Sequence, residues 1–315
     1  MWWRLSMPCP PELEESLVWK LNDLGLHRFA VQHSPDTPHQ KTLMVWLPQP
    51  EWPVAEREQL LASLEPLSQP FGLAFPSGVW DEVADEDWSL SWKQHWQPDP
   101  VGQRLLILPA WLDVPSEHAD RLVIRMDPGS AFGTGSHPTT RLCLEALEAN
   151  PPQDLLVADL GCGSGVLGLA SLSLGADAVL AADTDSLAIR ATAGNRSLNH
   201  CSEKRLEVAL GSVETLQALL AGRRSDLLLC NILAPVIEAL SPGFERLIAP
   251  QGRGLLSGLL VDQAPRLKEV LATQGWQVTQ ELAQGRWGLL EIRHTRANYH
   301  KPGLSDLPLR LDLPP

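Results

Sequence analysis

The chain has little with which to hold nucleic acid, metal or a disulfide frame. Lys and Arg number 25 against 38 Asp and Glu, a formal charge of −13. Binding of nucleic acid irrespective of sequence needs a basic face, so this balance argues against it. A basic protein partner remains compatible with such a charge. The five cysteines, Cys9, Cys143, Cys162, Cys201 and Cys230, are scattered with no C-x-x-C pair. They read as reduced thiols, with neither a zinc site nor a disulfide framework. No apolar run of membrane length is free of charge: residues 155–182 come nearest, and Asp159, Asp177 and several glycines interrupt them. The opening MWWRLSMPCPP has no charged n-region and no long apolar stretch. We therefore expect no signal peptide and a soluble, cytoplasmic protein.

What is present is enough for two domains. The 315 residues are 44% apolar, which supports a real core and excludes global disorder. Tryptophan divides the chain. Ten of the 12 lie at or before Trp111, and only Trp276 and Trp287 follow, which suggests two units with different packing.

Residues 155–185, LLVADLGCGSGVLGLASLSLGADAVLAADTD, organise the rest. An apolar run from Leu155 to Leu160 carries Asp159 near its end. Gly161, Gly163 and Gly165 follow, then small and apolar residues, Gly175, and a second apolar run closing on Asp183. This is strand, tight turn, helix, strand and acid, one βαβ unit of a parallel sheet. Glycines let the backbone approach a ligand where a Cβ would collide. Asp183 sits where nucleotide-binding folds hold a ribose. Gly163 to Gly168 also fit G-x-G-x-x-G, the dinucleotide fingerprint, but a lone match is weak. Read from Gly161, with Asp159 two residues ahead, the stretch resembles the first motif of Rossmann-like methyltransferases that use S-adenosyl-L-methionine (AdoMet).

Before this unit, residues 2–7 read as a strand, Leu13 to Leu24 as a helix, and 27–33 and 42–47 as two strands. Pro53 opens a second helix through Leu67. The order suggests a small ferredoxin-like α+β domain over residues 1–80, with no nucleophile–base pair or metal cluster, suited to binding or positioning. Trp88, Trp92 and Trp96 recur every four residues, one stripe of a linker helix ending at Pro98 and Pro100. With the hairpin-like GQRLLILPAW they form a Trp-rich linker, residues 81–115. The second strong signal is the stretch Asp127 to Thr140, DPGSAFGTGSHPTT, a loop by composition whose N–H and hydroxyl groups suit covering a small ligand.

After Asp183 the periodicity gives a helix to Asn199, strand 206–210, helix 213–220 and a buried strand 227–230 leading to Asn231-Ile232-Leu233-Ala234. A helix ending near Pro250, strand 254–257, helix 261–274 and strands 276–282 and 287–293 complete it. The alternation is a doubly wound, mostly parallel sheet with a closing antiparallel hairpin, a Rossmann-like α/β domain over residues 116–295. Gly161, Asp183 and Asn231 fall at strand ends on one rim, where such sheets bind ligands. Residues 296–315, rich in Pro and Leu without a period, read as a flexible tail.

Four stretches, DEDWSLSWKQHWQP with GQRLLILPAW, DPGSAFGTGSHPTT, VADLGCGSG…DTD, and CNILA, together resemble the ribosomal protein L11 methyltransferase family over residues 1–295. The resemblance implies an N-terminal substrate-recognition domain, a linker and an AdoMet-dependent domain. It implies methylation of lysine side chains and the N-terminal α-amine of ribosomal protein L11. It places AdoMet contacts at Thr140, Gly161, Gly163, Asp183 and Asn231, with Phe132, Gly133 and Thr134 lining the site. No metal is expected. Asn231 would position the amine, and His137 reads as structural rather than as a base. The tail after Arg296 is an addition to the family pattern.

Three other readings stand beside this one. A nucleobase or glutamine amide could be the acceptor, but those enzymes carry Asn-Pro-Pro-Tyr or Asp-Pro-Pro-Tyr where this chain has Ile232 and Leu233 after Asn231, leaving no aromatic to stack on a planar group. A nicotinamide oxidoreductase would leave Asn231 and the PGSAFGTG stretch unexplained. A non-catalytic AdoMet-binding module is opposed by intact Gly161, Asp183 and Asn231.

Overall fold

The computed structural model describes residues 1–26, 28–34, 37–83, 96–127, 135 and 137–295. The first unit runs β1 (Trp2–Cys9), α1 (Pro11–Asp23), β2 (Phe29–Ser34), β3 (Thr37–Pro48), α2 (Val54–Leu64) and β4 (Val79–Val83). Its sheet has the order β2-β3-β1-β4, with every pair antiparallel. This is the ferredoxin-like arrangement expected. Alternation along β1 turns Leu5, Met7 and Cys9 onto Leu13, Leu17 and Leu21 of α1 and Leu60 and Leu64 of α2. Pro8 and Pro10 fall where β4 no longer pairs with β1, and so break no ladder hydrogen bond there. The fourth strand is absent from the sequence reading because VWDEV merges into the acidic run that follows.

Next come β5 (Asp99–Val101), β6 (Leu105–Pro109) and β7 (Leu122–Met126), a three-stranded sheet in that order. The first two form a hairpin whose first strand lies before GQRLLILPAW, and β7 adds in parallel. Their buried faces, Val101, Leu105, Ile107, Ile124 and Met126, belong to the same apolar cluster as Leu142, Val166 and Val179 of the following unit. Trp96–Pro98 have no regular structure, so the expected helix does not extend to Trp96, and Pro100 lies in β5. Trp88 and Trp92 lie outside the described residues, as do His27 and the tail 296–315.

The large sheet is built from β8 (Leu156–Leu160), β9 (Ala178–Asp183), β10 (Leu206–Leu210), β11 (Ser225–Asn231), β12 (Ile248–Leu260), β13 (Trp276–Gln284) and β14 (Trp287–His294). Its order is β10-β9-β8-β11-β12-β14-β13, parallel through β12 and antiparallel at β14 and β13. The helices are α3 (Pro138–Ala149), α4 (Val166–Ser173), α5 (Ser186–Leu198), α6 (Val213–Leu220), α7 (Ala234–Leu240), α8 (Phe244–Leu247) and α9 (Ala264–Thr273). Strand residues alternate between two cores. Val157, Val179, Leu227, Leu229 and Leu255 face one, and Ala158, Leu180, Leu228, Cys230 and Leu256 the other. Burial on both faces is why these strands read as nearly continuous apolar runs.

One boundary departs from the periodicity. The helix expected to end near Pro250 stops earlier: α7 ends at Leu240, α8 at Leu247, and Pro250 lies inside β12. The β11–β12 pairing shifts register between Ser225 and Leu227, opposite this part of β12. A proline is tolerated beside such an irregularity.

Candidate active site

The carboxyl ends of β8, β9 and β11 lie on one rim, and the sheet order places them side by side. Gly161, Gly163 and Gly165 follow β8 with φ of 76°, 54° and 81°, a left-handed series that glycine adopts without strain. At Gly161 a Cβ would also lie 2.4 Å from Ile232 Cγ2, so the turn is pressed against the residue after Asn231. The Gly161 and Cys162 N–H groups donate to the Ala182 carbonyl at 2.8 and 3.2 Å, stitching the turn to β9.

Asp183, half-buried at the end of β9, is held by two backbone donors. Gly163 N–H reaches its Oδ2 and Asp185 N–H its Oδ1, each at 2.9 Å. A carboxylate has about four lone-pair positions, so this grip leaves room for two further donors, as a ribose cis-diol supplies. Asp159, expected only as part of the motif, is 1% exposed, and neither of its oxygens has a hydrogen-bond partner among the described residues. Burial pushes its carboxyl up to about 7, with Asp183 adding to the rise. The Gly168 amide, facing it outside hydrogen-bond geometry, offsets part of it.

The other side of the rim is built from β11 and α3. Asn231 ends β11, and its Nδ2 donates to the Thr140 hydroxyl in the first turn of α3 at 3.3 Å. Gly258, φ 83°, lies so close beneath that a Cβ would stand 2.3 Å from the Ile232 carbonyl oxygen. Only glycine lets β12 pass under the turn after Asn231. Thus Gly161, Gly163, Asp183, Asn231 and Thr140 are brought together, the two sides of the rim meeting at Gly161 and Ile232. Phe132, Gly133 and Thr134 lie outside the described residues.

His137 has a structural place. It caps α3, its Nδ1 3.3 Å from the Thr139 amide and 2.8 Å from the Thr139 hydroxyl, and its ring meets Trp287 edge-on at 4.7 Å. Burial, with a smaller contribution from Lys41, lowers its pKa to about 3. A neutral, buried cap is a poor base. Groups of three or more His, Cys, Asp or Glu able to hold a metal ion are absent among the described residues.

The ferredoxin-like unit touches this same rim. Phe71 meets Trp287 at 5.8 Å, Trp19 Nε1 donates to Asp185 Oδ2 at 3.2 Å, and Glu12 lies 3.9 Å from Arg286. Trp287 pairs with Leu260 at the carboxyl end of β12.

A profile of the ribosomal protein L11 methyltransferase (PrmA) family matches residues 1–295. The chain belongs to this family. It is 77% identical over 287 residues to the ribosomal protein L11 methyltransferase of Parasynechococcus marenigrum, covering 91% of this chain and 99% of that one. With the protein of the same name from Synechococcus elongatus it shares 43% over 289 residues, 91% of this chain and 94% of the relative. Among solved structures it matches the ribosomal protein L11 methylase of Lactobacillus delbrueckii subsp. bulgaricus, with 32% identity and a TM-score of 0.56. That match covers 63% of this chain and 99% of the other. In this methyltransferase family a methyl donor is implied.

Several residues of the site escaped sequence reasoning. Thr192 and Asn195 lie on α5 and reach the turn through hydrogen bonds that no local pattern announces. Asp185 caps α5, accepting from the Leu187 amide at 2.8 Å, and the indole that also reaches it comes from 166 residues away.

Proposed function

We propose that this protein transfers methyl groups from AdoMet to amino groups of ribosomal protein L11, lysine side chains and the N-terminal α-amine. The observation that carries the reading is the pairing of two halves at one rim: Asp183 gripped by the glycine turn, and Asn231 fixed on Thr140. The chain fits the donor. Asp183 would take the ribose hydroxyls, and the glycine turn would bring its backbone up to the ligand. When bound, AdoMet supplies a methyl already activated by its sulfonium, and the protein contributes alignment.

The acceptor must arrive as a neutral amine with a free lone pair, whereas a lysine of ordinary pKa, about 10.4, is mostly protonated at neutral pH. Desolvation lowers an amine's pKa. Ile232 and Leu233 give the Asn231 turn an apolar border on which it can act. With Nδ2 committed to Thr140, the Asn231 Oδ1 is free to accept an amine N–H and turn the lone pair toward the methyl. An amide orients and does not take the proton, so proton removal falls to solvent before transfer. Residues 1–80 would hold the protein substrate and 81–115 link them to the catalytic unit. Their contacts at Trp287, Arg286 and Asp185 bring the first unit to the carboxyl rim. The site would work in the cytoplasm, where its substrate is made.

Calorimetry tests the donor half. Asp183→Ala removes the ribose acceptor and the anchor of Gly163 and Asp185, and should abolish measurable AdoMet binding. Wild-type affinity in that variant would refute the assignment.

A further inference from the structure

Asn195 lies on α5, 1% exposed, and both ends of its side-chain amide are engaged. Its Oδ1 accepts from the Asp127 N–H at 2.9 Å, and its Nδ2 donates to the Ser164 carbonyl at 2.9 Å. Ser164 belongs to the glycine turn. Asp127 is the residue after β7, where the second glycine-rich stretch, 127–140, begins. The neighbours on this face of α5 divide the same work. Thr192 donates to the Gly163 carbonyl at 2.9 Å, and its methyl would stand 2.9 Å from a Cβ on Gly165. Asn199 takes the Arg125 N–H at 2.8 Å and gives to the Arg125 carbonyl at 2.7 Å, acting as a strand partner to β7. Thr192 grips the turn and Asn199 grips β7, while Asn195 grips both.

We propose that Asn195 is a positioning residue for donor binding, tying the glycine turn to Asp127 at the end of β7 so that the turn keeps a fixed place for the donor. The inference rests on the assignment of this turn to AdoMet. Its physical basis is the two-sided chemistry of an amide: Asn both accepts and donates, whereas an ionised Asp of the same volume only accepts. With Asp at 195 the Asp127 bond is kept. The Ser164 carbonyl then faces a carboxylate, and the turn that presents Gly163 N–H to Asp183 loses its support. Asn199 provides an internal control, since from the same helix it bonds β7 and the Asn195 carbonyl without reaching the turn.

The test is AdoMet calorimetry and donor kinetics on the full chain. N195D and N195A should raise the AdoMet Kd about tenfold, the effect of losing one buried hydrogen bond at a binding surface. The donor KM should rise with it, and kcat at saturating donor should stay near wild type. N199A should lower stability at least as much and leave the Kd within about twofold. Should N195A fail to fold, N195D, which keeps the volume and one bond, still reads the tie. Equal Kd values for N195D and wild type, or an N199A effect as large as that of N195D, would overturn the proposal. Absence of AdoMet binding by the unaltered chain would overturn the functional reading and this inference with it.

Discussion

Substituting Gly161 by Ala should damage the site by two separable effects. The residue has φ 76°, and a Cβ there would lie 2.4 Å from Ile232 Cγ2. The left-handed conformation costs an L-residue about 1–2 kcal/mol. Overpacking against a stiff β-branched side chain costs about 1–3 kcal/mol more. Gly25 isolates the first effect: its φ is 73°, and a Cβ would meet nothing within 4 Å. G25A should therefore lose about 1–2 kcal/mol in urea unfolding, and G161A about 2–5 kcal/mol. Ile232 can relieve the collision only by moving, and it follows Asn231 directly, so G161A should also weaken AdoMet binding by about tenfold or more. G25A should not. Equal stability losses in the two variants, together with an unchanged AdoMet Kd in G161A, would refute the close packing of turn and acceptor loop.

Asn231→Ala should cut methyl transfer by about two orders of magnitude, since positioning contributes much of such a reaction's barrier. Single-turnover rates at saturating AdoMet read this directly, and near-wild-type turnover would remove Asn231 from the mechanism. His137 and Asp159 should give stability opposite pH slopes in donor-free protein. Unfolded His137 takes a proton below about 6.5 whereas the folded residue stays neutral to about 3, so stability falls as pH falls, by about 2 kcal/mol from 6.5 to 5. Folded Asp159 is protonated below about 7 but unfolded only below 3.8, so its contribution rises as pH falls, by roughly as much. Relative to wild type, H137N should then gain stability on acidification from pH 7 to pH 5 and D159N should lose it. Parallel urea midpoints for all three proteins would contradict the burial of either group.

Much of this molecule is legible in its sequence because its signals are local. Two-sided burial writes β8, β9 and β11 as apolar runs, and the turn after β8 needs positive φ at three positions that glycine fills. Asp183 and Asn231 follow as the polar residues closing such runs. The sequence conceals whatever depends on partners far along the chain. β4 and β7 are strands because β1 and β6 offer them edges, not because VWDEV or LVIRM insist on it. Pro250 reads as a stop because proline ends helices, whereas here it opens a long strand beside a register shift. The packing of His137 against Trp287 and the bridge through Asn195 join segments whose closeness only the folded sheet creates.

The most direct test of the central claim is intact-mass spectrometry of large-subunit ribosomal proteins incubated with the full chain and AdoMet. The account predicts increments of about 14 Da per methyl on protein L11 alone, and none with Asp183→Ala. Methyl gain on a different protein, or none on L11 by a chain that binds AdoMet, would contradict it.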